Sequence, residues 1–255
     1  MRRALALAAL SLALAACGGG GSTHAASPPT RAAVVHPPTR AAATVDRRLL
    51  LGRSALGRPI YAVERGNPAA ARRVLVVGCI HGTEYAGVGV TRFLERGLSP
   101  RGTLLWIVPD LNPDGVAAGI RTNGRGVDLN RNFPSQWRPI GIRGDPQYSG
   151  PRPLSEPETR LIRRLILRVR PVLSIWYHQP QDVVRAWGQS IPAARRYARL
   201  AHAPFRAIRW PSGTAANWQN HRFPGTSSFV VEFAGGPIPQ AVIRNHAAAV
   251  RALAP

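Results

Sequence analysis

The sequence predicts an α/β fold, a single domain with a mixed, mostly parallel sheet and helices on both faces. Three observations carry that expectation. Four runs, RVLVVGC at 73–79, TLLWIVP at 103–109, VLSIWY at 172–177 and SFVVEF at 228–233, are continuously rather than alternately apolar, as strands covered on both faces are. Segments of helical period lie between and after them. Polar side chains gather at or just past the ends of these runs: His81 with Glu84, then Asp110, His178 and Glu232. In open α/β sheets ligands bind outside the carboxyl ends of the strands, so these residues are expected to converge.

Taken in order, residues 1–16 have a basic start at Arg2 and Arg3, an apolar stretch from Ala4 to Leu14 and small residues after it, which is how an export signal reads. The stretch is too short for a comfortable membrane span. Leu14-Ala15-Ala16-Cys17 resembles the bacterial lipoprotein signal, in which Cys17 becomes a lipid-modified N-terminus; an ordinary signal cut nearby is the alternative. Residues 17–45 are rich in Gly, Ser, Ala, Pro and Thr, with PPTRAA at 28–33 and again at 37–42, and read as a tether. Residues 46–255 suffice for one domain with a real core. Within it, RLLLGRSALGRPIYAVERG at 48–66 predicts two short strands around a Gly/Ser turn. Helices are expected over 87–98, 157–170, 192–203 and 239–253. The second has a capping-box spacing at Ser155 and Glu158, Pro157 in its first turn and Pro171 after its end.

The formal charge is +22, and every basic side chain is arginine. Such an excess suggests an acidic partner. For an exported chain that points away from nucleic acid and toward anionic envelope polymers, lipid head groups or acidic substrates, with evenly solvated arginines as the alternative. Of the two cysteines, Cys17 is the one expected to be lipidated and Cys79 lies in an apolar run, so no disulfide framework is available.

His81, Glu84 and His178 supply two imidazoles and a carboxylate, a set that suits catalytic zinc, which takes three protein ligands and keeps a fourth position open. H-x-x-E by itself equally describes a polar turn. The stretch 105–134 adds Asp128, a carboxylate that could receive the second N–H of a metal-bound imidazole. Beside it, Asn130 and Arg131 could clamp a substrate carboxylate, since a guanidinium binds one through two parallel hydrogen bonds. His202, His221 and His246 have no evident partner and read as surface or locally bonded; Trp176 and Tyr177 read as strand core.

HGTE, PDLNPDG, RTN, GVDLNRNF, the Tyr148 to Glu158 segment, the lone His178 and VVEF together resemble the zinc carboxypeptidase family, in the same order, over about residues 74–233. The resemblance implies one Zn2+ held by His81, Glu84 and His178, Glu232 as general base, and Asp128 behind His81. It further implies Asn130 and Arg131 on the substrate's terminal carboxylate and Arg121 as the arginine that polarises the scissile carbonyl, with Arg125 a competitor four residues away. A tyrosine that closes over substrate in the large digestive enzymes is missing; IRWPSGTAANW offers Arg209 and Trp210 instead, and the side-chain pocket floor is expected near Ala216. The short domain resembles the compact bacterial murein peptide amidases, which cut between γ-D-glutamate and diaminopimelate. The expected activity is therefore that of a zinc metallopeptidase on small cell-wall peptides. The alternatives are an N-acyl-amino-acid deacylase and a non-catalytic basic module that holds envelope polymer.

Overall fold

The computed structural model describes residues 43–98 and 100–254; the expected export signal, Cys17 and the tether as far as residue 42 lie outside the described residues. Among the described residues eight strands form one sheet: β1 (Val45–Arg53), β2 (Pro59–Gly66), β3 (Arg73–Val77), β4 (Leu104–Val108), β5 (Leu173–His178), β6 (Gln181–Ala186), β7 (Phe205–Ala207) and β8 (Ser227–Ala234). Their spatial order is β1-β2-β4-β3-β5-β8-β6-β7. The central strands β4, β3, β5 and β8 run parallel, whereas β1 and β2 join one side antiparallel and β6 pairs antiparallel with β8 on the other. The sheet is mixed with a parallel centre, as expected.

The apolar runs are continuous because alternate residues serve two cores. Val74, Val76, Ile107, Ile175 and Val231 pack on one side, and Leu75, Val77, Trp106, Trp176 and Val230 on the other. Helices α1 (Ala86–Arg96), α4 (Ile191–Ala201) and α6 (Gln240–Leu253) cover the first face, through Leu94, Ala198 and Val250 among others. Helices α3 (Pro157–Val169) and α5 (Ala215–Arg222) cover the second, through Ile162, Ile166 and Trp218. A short α2 (Pro113–Ala118) follows β4. Four of these helices fall where the helical period places them. Helix α5 was not expected, since AANWQNHR carries no apolar stripe, and neither were β6 and β7, whose sequences mix apolar with charged residues.

Two local expectations are corrected. The capping box does not form: Glu156, not Ser155, is the N-cap of α3 and gives no side-chain cap bond. Ser155 Oγ turns instead to Asn132 and Glu156, and Glu158 accepts from the Ala55 backbone and from Asn123. Tertiary partners thus outcompete the local motif. His246 is not a surface histidine: it is buried against the first face, with Nδ1 2.8 Å from the Tyr197 hydroxyl, which itself lies 2.8 Å from the Tyr177 hydroxyl. His221 is locally bonded, to the Asn217 carbonyl, and Trp176 and Tyr177 are core.

Burial lowers the pKa of His246 to about 4, so the folded chain holds fewer protons than the unfolded one between that value and the ordinary 6.5. Its contribution to stability is complete above pH 6.5 and is lost as pH falls toward 4. Denaturant melts of His246→Phe should therefore show a flatter stability profile than the parent across that interval, by on the order of 3 kcal/mol at most. Parallel profiles would show that this histidine does not couple folding to pH.

Candidate metal centre

His81 and Glu84 occupy the turn that connects β3 to α1. The Glu84 N–H donates to the His81 carbonyl at 2.9 Å and closes the turn. Gly82 is needed within it, because a Cβ there would lie 2.0 Å from the backbone carbon of Gly115. His178 ends β5, the strand next to β3, so the two adjacent parallel strands deliver their carboxyl-end residues to one place. His81 Nδ1, Glu84 Oε2 and His178 Nδ1 form a triangle with edges of 2.9, 2.8 and 3.2 Å, and all three residues are buried. Ligand atoms about 2.0–2.2 Å from a tetrahedral ion lie roughly 3.3 Å apart, so this donor set fits zinc after slight expansion. Two imidazole nitrogens facing each other in a buried site need a cation or a proton between them.

The turn is held from behind by Asp128. Its Oδ1 meets His81 Nε2 at 2.9 Å, which places the imidazole proton on Nε2 and leaves the Nδ1 lone pair for a metal. The same carboxylate caps a single 3-10 turn over Leu129–Arg131 by accepting from the Asn130 N–H, and its Oδ2 takes Arg121 Nε and Nη2 at 3.2 and 3.1 Å. Burial opposes the charged form of Asp128, but His81 and Arg121 outweigh it and hold the carboxyl well below its ordinary range. Glu84 behaves alike: burial would raise its pKa, yet hydrogen bonds from His178 and His81 hold it far down. For His81 burial favours the neutral ring, and Asp128 overrides it to give a net upward shift. Two buried carboxylates thus stay ionised beside the donor triangle.

The triangle opens into a pocket of about 320 Å³ that Arg121, Asn130, Arg131 and Glu232 also line. Glu232 lies opposite His178 in the β5–β8 ladder, and its Oε2 is buried without a hydrogen-bond partner. Asn130 is more committed than expected, its Oδ1 accepting from the Ala215 N–H and its Nδ2 lying 3.3 Å from His178 Nε2. Arg131 donates to the Asn130 carbonyl with Nη1. The loop that backs it requires Gly213, at φ +68°, where a Cβ would stand 2.3 Å from the Arg131 carbonyl oxygen. Arg121 also reaches Glu84 Oε1, whereas Arg125 is half exposed and directed toward Glu156. The structure thus separates the two arginines by position.

Some expected residues are not brought to the pocket. Asp110 accepts from the Asn112 N–H and lines a different cleft with Arg48, Arg58 and Tyr61; burial raises its pKa to about 6. Ala216 faces the second hydrophobic core rather than forming a pocket floor, and the Arg209 guanidinium stacks over Trp187. Trp210 does line the pocket, and so does Arg185 of β6, which sequence reasoning missed. Had QDVVRA been recognised as a strand after His178, its alternation would have placed Arg185 on one face with Gln181 and Val183.

The zinc carboxypeptidase family model matches residues 42–236. The chain belongs to this family. As a zinc carboxypeptidase relative it uses one zinc ion, which the cluster of His81, Glu84 and His178 is able to hold. Murein peptide amidase A of Escherichia coli strain K12 is 36% identical over 141 residues, covering 51% of this chain and 57% of the amidase. The chain therefore spans little more than half the length of that relative. The crystal structure of the murein-tripeptide amidase from Escherichia coli O157 superposes with a TM-score of 0.66 at 26% identity, over 86% of this chain and 96% of the other. The carboxypeptidase A of Helicoverpa armigera, with a TM-score of 0.72 at 17% identity over 81% of this chain and 67% of the other, shares the fold.

Removing the carboxylate behind His81 frees the imidazole to turn and to change tautomer. Asp128→Ala is expected to weaken zinc binding about 10- to 100-fold, read by competition with a chromogenic chelator, while His178→Ala should bring the zinc content of the purified protein close to zero. Unchanged affinity in Asp128→Ala would remove it from the support of the metal.

Proposed function

We propose that the protein is an exported, lipid-anchored zinc metallopeptidase that hydrolyses an amide bond next to a substrate carboxylate in small cell-wall peptides, with the γ-D-Glu–diaminopimelate bond favoured. One observation carries the chemistry: the metal donors, a buried carboxylate oxygen of Glu232 without a partner, and the guanidinium of Arg131 all face one pocket. The murein peptide amidases among its relatives support the substrate class. The LAAC sequence ending at Cys17 and the PPTRAA repeats support the anchor and tether. No helix among the described residues is long and apolar enough to cross a membrane.

Zinc, when bound, supplies Lewis acidity that makes water a nucleophile near neutral pH and draws charge from a carbonyl oxygen. The chain supplies the rest. Arg131 holds the terminal carboxylate of the substrate in a two-pronged bond, with Asn130 fixing the turn that carries it. That orients the scissile amide across the donor triangle, since a carboxylate pinned at one end leaves few poses for the neighbouring bond. Glu232 accepts the proton of the attacking water at Oε2 and passes it to the leaving amine. Arg121, lying against Glu84 and Asp128, is the cation placed to balance the negative charge that develops on the carbonyl oxygen.

Mass spectrometry of products from L-Ala-γ-D-Glu-diaminopimelate and the zinc-loaded protein tests the reading. Free diaminopimelate should appear with the parent, and Glu232→Gln should lower kcat by about 10²- to 10⁴-fold while retaining one zinc per chain. Zinc bound at one per chain with no diaminopimelate released would sink the cell-wall substrate.

A further inference from the structure

We propose that Arg185 is the specificity-determining residue of this pocket, receiving a second carboxylate carried on the side chain of the leaving residue. The inference rests on the peptidase reading above and deepens it.

Arg185 lies on β6, paired antiparallel with Val230, two positions before Glu232 on β8. Its side chain is only 15% exposed. For a largely buried guanidinium it is poorly satisfied. Nη1 lies 3.2 Å from Gln181 Oε1 and 3.5 Å from Glu232 Oε1, and Nε is buried without a partner. A dedicated ion pair with Glu232 would be two-pronged and near 2.7–2.9 Å, yet Glu232 Oε2 is left unpartnered as well. Trp210, on the lining of the same pocket, also has a buried indole N–H without a partner. Buried donors are seldom left unsatisfied, so two of them in one cleft call for an acceptor from outside the chain.

Charge specifies that acceptor. Around the donor triangle stand Arg121, Arg131 and Arg185 against Glu84, Asp128 and Glu232. With a divalent ion added, two positive charges remain, one of them from Arg185, so the cleft favours a leaving residue that brings a carboxylate beyond its terminal one. Without Arg185 one would remain, which the terminal carboxylate alone would balance. Burial lowers the pKa of Arg131, and the charges of Arg121 and Arg185 add to that, so Arg185 lies within electrostatic reach of the group that holds the terminal carboxylate. The residue bearing that carboxylate is the leaving residue, and its side chain is the part that extends toward Arg185. Diaminopimelate has such a second carboxylate; lysine is the same chain without it.

The test compares L-Ala-γ-D-Glu-diaminopimelate with L-Ala-γ-D-Glu-L-Lys on the zinc-loaded parent, Arg185→Met and Arg185→Lys, with zinc content and circular dichroism as folding controls. The parent should favour the diaminopimelate peptide by about 10- to 100-fold in kcat/KM, mostly through KM. Arg185→Met should lose most of that preference while changing the lysine peptide several-fold at most, and Arg185→Lys should recover part of it. Equal losses on both peptides, or a loss confined to kcat, would make Arg185 a support of Glu232 and overturn the proposal. Calorimetric titration of free diaminopimelate and free lysine into the same proteins separates the two readings. Cleavage of neither peptide with an Arg185-dependent preference for binding diaminopimelate would keep the assignment and reject the substrate. Cleavage of the diaminopimelate peptide with its preference intact in Arg185→Met would do the reverse, and neither cleavage nor preference would overturn both.

Discussion

The hydrogen bond from His81 Nε2 to Asp128 Oδ1 ties together parts of the chain that would otherwise have no reason to agree. One carboxylate, fully buried, sets the tautomer of a metal-facing imidazole, caps the turn that carries Asn130 and Arg131, and anchors Arg121 through two nitrogens. Burying an ionised group is costly unless every lone pair is used, and here the partners come from three separate segments. The cost of leaving any of them out is what fixes the others. The turn at 128–131 therefore follows from the same electrostatics as the donor triangle.

The sheet makes that convergence possible. Parallel β3 and β5 place His81 and His178 side by side, and β8, parallel to β5, puts Glu232 opposite His178. Rigid strands buried on both faces give His178 and Glu232 little freedom, whereas His81 and Glu84, on the turn after β3, are located by their bonds to Asp128, to His178 and to each other. The antiparallel return of β6 beside β8 then closes the pocket wall with Arg185.

The parallel centre of the fold was legible because strands covered on both faces must be apolar throughout, and Val74–Val77 and Leu104–Val108 are. His81, Glu84, Asp128, His178 and Glu232 were legible because their order and the short motifs that carry them, two on a turn after a strand, one in a loop and two on strands, repeat a family pattern. What escaped has a common cause. The six residues of β6 do not read as a strand because half of them are polar or charged, and Arg185, one of those, faces the pocket. Ala216 was misplaced because α5, with no apolar stripe, gave no sign of which way its residues turn; they turn into the second core. Ser155 and Glu158 carried a valid local signal that Asn132, Asn123 and Ala55 overrode from a distance.

Charge acts at two ranges in this protein, and the two do different work. The formal charge of +22 carried by the sequence attracts any anion, an effect that accelerates encounter and fades within a Debye length of about 8 Å at physiological salt. It cannot tell a leaving residue with one carboxylate from a leaving residue with two, because both peptides are drawn in. Discrimination needs cations held where water is scarce and at fixed separation, as Arg131 and Arg185 are. Arginine suits both tasks: it stays charged when partly buried, and its planar fork turns a field into a geometry. The overall excess of charge thus bears on how often anions arrive, while the pocket cations bear on which of them can be held beside the donor triangle.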